Sequence, residues 1–113
     1  MGEGHVRELL DDMELALTDL MQSGFSTGGP AAAERLHNLS LACEERGLHT
    51  GGTLLSEIEQ ALISRSHAVE KDDLPLAATV CRAARYIQLC REKLQEEQII
   101  RRWQSIIQEE EVL

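Results

Sequence analysis

Glu34 and His37 stand three residues apart, a spacing that puts a carboxylate and an imidazole on one side of a helix. Carboxylate-bridged di-iron bundles use that Glu-x-x-His pair twice, with a further Glu from each of two other helices. The second copy is missing here: Ser64 stands three before His67 and Arg46 three before His49. His5, His49 and His67 fall near predicted helix ends or loops and do not group into a ligand set. Cys43, Cys81 and Cys90 are odd in number and widely spaced. Nine residues at 100° each set Cys81 and Cys90 about 180° apart on one helix, too far around to grip one metal together. All three are expected to be small buried hydrophobes. The chain has no Gly-x-Ser-x-Gly, phosphate loop, dinucleotide fingerprint, His-Glu-x-x-His or Cys-x-x-Cys. The pairs Gly28-Gly29 and Gly51-Gly52 follow no strand and read as helix connections. The expectation is a protein that is not an enzyme and carries no cofactor or metal.

His37 has a second reading. On a helix it lies roughly 125° from the face formed by Leu36, Leu39 and Cys43, which places it outside. The stretch Leu36 to Gly47 resembles the active helix of histidine-containing phosphotransfer domains, with Leu39 and Gly47 at the family's positions. Ser40 stands where that family has Lys, and Leu41 where it has Gly. The resemblance implies His37 as phosphoacceptor. The two departures remove a cation for the phosphoryl group and add bulk where a receiver domain docks.

The elements that would carry these residues are helices. Trp103, Tyr86 and Phe25 are the aromatic residues, so a core drawn from the 42% hydrophobic residues is mostly Leu, Ile, Ala and Met, which helices tolerate best. Val6, Leu9, Leu10, Met13, Leu17, Leu20 and Met21 recur with helical period, and Gly24 sits where a cap is expected. Phe25 to Gly29 reads as a loop. Pro30 suits a first turn, Ala32, Leu36, Leu39 and Cys43 follow, and Gly47 supplies the stop. His49 to Thr53 reads as a tight connection. Leu54, Leu55, Ile58, Ala61 and Leu62 form a third stripe fading around Ser64 to His67, and Asp72 or Asp73 can cap a helix opening at Leu74-Pro75.

From there Leu76, Val80, Ala83, Ile87, Cys90 and Leu94 alternate steps of four and three, the pattern of a bundle seam. After Pro75 the chain holds no Gly or Pro. The last helix therefore runs to about Glu110, roughly 55 Å, about twice its predecessors. The fold class that follows is all-α: an antiparallel four-helix bundle, residues 1–98, with a C-terminal helical extension, residues 99–113, reaching past it. On the extension, Ile99, Ile100, Trp103, Ile106 and Ile107 make a new apolar face, out of phase with the old one. Leaving five such side chains in water forgoes on the order of 10 kcal/mol. Either the helix breaks near Glu96 or Glu97 and folds back, or another chain covers the face, most simply a symmetry mate. Glu109, Glu110 and Glu111 follow as a solvated tail, expected to fray against the helix dipole.

Charge is uneven. The net charge is −9; residues 1–24 set six acids against Arg7, while Pro75 to Trp103 sets six basic residues against Glu92, Glu96 and Glu97. Packing the first helix beside the last pairs those signs. The arginines lack the glycine-rich or aromatic companions of nucleic-acid binders, apolar runs are far too short to span a membrane, and no basic-then-apolar leader precedes the acids of the first helix. A cytoplasmic protein without nucleic-acid or membrane partners is expected. The run Leu15 to Phe25, with Leu36 to Leu48 and Leu54 to Leu62, is similar to helical segments accompanying bacterial SWIM zinc-finger proteins, although the Cys-x-Cys and Cys-x-His zinc ligands are absent. That similarity implies an accessory helical module that contacts other proteins. The function expected is protein–protein interaction or assembly, as a homodimer or with a helical partner, with Ile99, Ile100, Trp103, Ile106 and Ile107 as the contact. A degenerate phosphotransfer domain using His37 is the alternative.

Overall fold

A computed structural model describes the backbone of residues 2–25, 29–67 and 72–112, and the side chains of residues 5–25, 30–67 and 72–109. Among these the chain forms four helices: α1 (Gly2–Ser23), α2 (Gly29–Glu45), α3 (His49–His67) and α4 (Leu74–Val112). Each packs on its neighbours in the chain and α4 closes the ring against α1, giving an antiparallel four-helix bundle. Leu10, Met13, Leu36, Cys43, Leu55, Ile58, Val80, Ala83 and Ile87 meet at its centre. The stripes on all four helices thus converge on one core.

The caps explain the boundaries. Gly24 and Gly47 take φ of 78° and 79°, the left-handed conformation that ends a helix. After α2, the Leu48 N–H donates to the Cys43 carbonyl at 2.8 Å and the Gly47 N–H to the Glu44 carbonyl at 3.2 Å, the paired bonds of a Schellman cap. A Cβ on Gly47 meets no atom within 4 Å, so a side chain there is opposed by the backbone alone. Gly47→Ala is expected to lower stability by about 1 kcal/mol, read as a smaller urea midpoint at unchanged m. At α4, the Leu74 N–H donates to the Asp72 carboxylate, while Asp73 pairs with Arg65 of α3. Of the two acids expected there, Asp72 is the one whose side chain caps.

Two expected connections belong to helices instead. Gly29 is the first residue of α2, and His49 to Thr53 with Gly51 and Gly52 form the first turn of α3, which leaves only Arg46 to Leu48 as connection. Packing overrides the glycines' usual role as breakers. A Cβ on Gly51 would lie 2.8 Å from the Tyr86 ring, and one on Gly52 3.2 Å from the Ser40 carbonyl of α2, with the Glu44 carboxylate also against it, so glycine lets α2 and α4 close on this turn. The Glu44 carboxylate at that helix N-terminus also suits the dipole. The loop expectation for Ser26, Thr27 and Gly28 lies outside the described residues.

α4 holds 39 residues, about 58 Å at 1.5 Å per residue, and makes the molecule 72 Å long and 23 Å wide. It does not break at Glu96 or Glu97, so the fold-back alternative is set aside. Its backbone stays helical through the acidic run to Val112, with Glu109 exposed. The side chains of Glu110 and Glu111, and Leu113 altogether, lie outside the described residues.

Candidate functional site

The last α4 residue packed against the core is Leu94. Glu97 and Gln98 beyond it are still partly buried, but from Ile99 to Glu109 every side chain is exposed, the large apolar ones included: Ile99 is 48% exposed, Ile100 48%, Trp103 61%, Ile106 45% and Ile107 50%. Helical phase explains why. At 100° per residue, Leu76, Val80, Ala83, Ile87 and Leu94 cluster on one side of α4, and these five centre about 180° away. The overhang therefore presents its greasy side opposite the line that faces the core. Arg101 and Arg102 are the charged residues between Ile99 and Gln108, so this stretch is positive.

A groove of about 1060 Å³ runs between α1 and α4 on the body of the bundle. Leu17, Val80, Ala84 and Ile87 line it, with Leu15 and Met21 along its α1 side and Cys81 on its α4 side. Leu15 is 53% and Met21 52% exposed, large hydrophobes that the four helices leave uncovered. At its rim Arg91 donates to Asp11 at 2.8 Å and to Glu14 at 2.6 Å, so α4's positive side does meet α1's acids. Asp11 foremost, and Glu14 with it, raise the Arg91 pKa. Arg82 goes instead to Glu57 of α3, and Arg85 to Gln88 on its own helix.

Composition hid the groove, but phase carried a signal for it. Leu15 is the apolar residue of α1 that falls off the stripe of Leu10, Met13, Leu17 and Leu20, by well over 90°. Met21, counted with that stripe on spacing alone, sits at its margin and is exposed.

The cysteines divide three ways. Cys43 is fully buried against Met13, and desolvation first, then Cys90 and Glu44, pushes its thiol up to about 11. Cys90 is half-buried beside Tyr86, whose phenol is pushed up to about 12 by burial and Cys90. Cys81 is exposed, against expectation, because it follows core residue Val80 by one position and so turns 100° away.

His37 lies outside as expected, with its side chain 55% exposed. Its Nδ1 is 3.2 Å from the Glu59 carboxylate of α3, a contact that spacing along α2 could not reveal. Ser40, at the position of the phosphotransfer lysine, gives its hydroxyl to the Gly52 carbonyl at 2.9 Å, and Leu41 is exposed one turn from His37. Glu34 joins no metal-binding group: among the described residues no three His, Cys, Asp or Glu side chains cluster to hold an ion. No helix among them is long and apolar enough to cross a membrane.

The chain matches no protein-family model, no curated protein and no solved structure. The likenesses to SWIM-associated segments and to phosphotransfer domains rest on the quoted residues alone.

Proposed function

We propose that this protein is a non-enzymatic assembly module that self-associates through the α4 overhang. One observation carries the reading: five large apolar side chains, each about half exposed, share one side of a helix that has outrun its own bundle. A helix end whose described side chains are all exposed has little to hold it, and apolar surface of this kind on a charged, acidic chain is what protein interfaces bury. Trp103 is the anchor, being the largest of the five and of the type that dominates interface energetics. Three cysteines that form no disulfide suit a reducing compartment. Sedimentation equilibrium of the intact chain tests the reading. Twice the 12.6 kDa chain mass is expected at micromolar loading, and a monomer at every concentration overturns it.

A second reading has one observation in its favour. Glu59 engages Nδ1 of the exposed His37, which orients the ring and leaves Nε2 to act as nucleophile. On that reading His37 takes a phosphoryl group from a phosphorylated receiver domain, and label transfer is lost in His37→Gln. No transfer to the wild type from any receiver tried removes it.

A further inference from the structure

We propose that the α1/α4 groove receives the overhang of a second copy of this chain, each copy giving its overhang and accepting the other's. The inference rests on the self-association reading and adds the surface that is bound.

Dimensions fit. The groove follows α1 from Asp11 to Gln22 and α4 from Val80 to Arg91, about 16 Å along each, and Ile99 to Ile107 spans about 12 Å. Chemistry fits as well: Leu15, Met21, Cys81 and Ala84 offer an apolar trough within a polar rim, and the overhang offers isoleucines around one Trp. Charge then selects this occupant. Residues 99–108 are positive through Arg101 and Arg102, whereas the groove carries Asp11 and Glu14 against Arg91, and α1 as a whole six acids against Arg7. Laying one overhang on the other would bring two positive segments together; laying it on α1 brings opposite signs together.

Symmetry closes the arrangement. Because α4 is one unbroken helix, the groove and the overhang of a single copy are held about 26 Å apart along it. A two-fold axis perpendicular to α4 and passing beside it at the level of Leu94 exchanges the two, so both contacts form at once in a closed dimer. The surface of α4 supports this. Groove residues Cys81 and Gln88 and overhang residues Ile99 and Ile106, spaced 7, 11 and 7, fall within about 20° of one line along the helix. An antiparallel pair of α4 helices meets along that line. Area points the same way, since a stable interface buries about 800 Å² per partner. Five half-exposed side chains per copy supply little of that, while reciprocal docking adds both groove walls.

Thiol crosslinking of the full chain tests the arrangement. In Ile106→Cys with Cys90→Ala, the reactive thiols are Cys81 and the new one, since Cys43 is buried with its thiol raised. Twenty-five residues of helix separate these positions, about 37 Å, so a short bis-maleimide cannot join them within one chain. A covalent dimer is expected, its yield falling at least tenfold on adding Cys81→Ser. Unchanged yield without Cys81 means that overhangs meet each other, and the groove assignment falls while self-association stands. A sedimenting dimer that gives no crosslink also overturns it, and a wild-type monomer overturns both. Independently, Leu15→Asp in the groove is expected to weaken the dimer at least tenfold, with Leu41→Asp, equally exposed on α2, leaving it unchanged; equal effects sink the proposal.

Discussion

Replacing Ile58 by Ala lowers the unfolding free energy by about 2 to 5 kcal/mol, whereas Ile107→Ala shifts it by no more than about 0.5 kcal/mol at concentrations too low for association. The residue type and the helical setting are the same, so the difference isolates position. Ile58 is fully buried on α3 among side chains from the other helices, and truncating it leaves a cavity that close-packed neighbours fill only in part. Ile107 is half exposed on a segment whose described side chains are all exposed, so truncation removes a surface that water already wets. Against a total stability of about 5 to 15 kcal/mol, the first loss is a large fraction and should lower Tm by roughly 10 to 25 °C. Thermal melts followed by circular dichroism on dilute protein decide it. Equal losses would place Ile107 in a core of its own protomer.

Much of this architecture is legible from periodicity, and the exceptions share a cause. The stripe Leu76, Val80, Ala83, Ile87 and Leu94 identifies the seam of α4, and its change of phase after Leu94 identifies the overhang, because both depend only on the 3.6-residue turn. Gly24 and Gly47 are legible as stops since a left-handed cap suits glycine. Gly51 and Gly52 mislead for the same chemical reason: glycine there answers to Tyr86 on α4 and to Ser40 and Glu44 on α2, which lie on other helices and come close only after folding. The pairing of Arg91 with Asp11 and Glu14 is legible as a tendency of charge, though not as a choice among the arginines of α4. Leu15, Met21 and Cys81 become a groove only when α1 is laid beside α4. Local pattern therefore gives each helix its faces. Which margins of two helices meet is a tertiary fact.

Cross-helix ion pairs show how that tertiary choice is made without large energies. Arg35 meets Asp19 between α2 and α1, Arg82 meets Glu57 between α4 and α3, and Arg91 meets Asp11 and Glu14 between α4 and α1. All are substantially exposed, so each contributes about 0 to 1 kcal/mol and less in high salt. Their value is directional. Exchanging α1 for another helix beside α4 would leave Arg91 without its acids, so the pairs favour one order of helices over alternatives that bury similar apolar area.

Trp103→Ala combined with Ile107→Asp is expected to abolish self-association while leaving the bundle folded, and this is the larger functional effect. A central interface Trp truncated to Ala typically costs 2 kcal/mol or more, and placing a carboxylate in an apolar contact adds about as much again. Together these amount to about 4 kcal/mol, a thousandfold weaker dimer. Neither substitution touches a residue of the core cluster, so the helical signal and the urea midpoint of the dilute protein should match the wild type. That pairing of results matters because a destabilised bundle would also dissociate. A variant that sediments as a monomer with an unchanged midpoint assigns the loss to the overhang itself. One that stays dimeric shows that the chain pairs through some other surface, and the overhang is then no longer the assembly site.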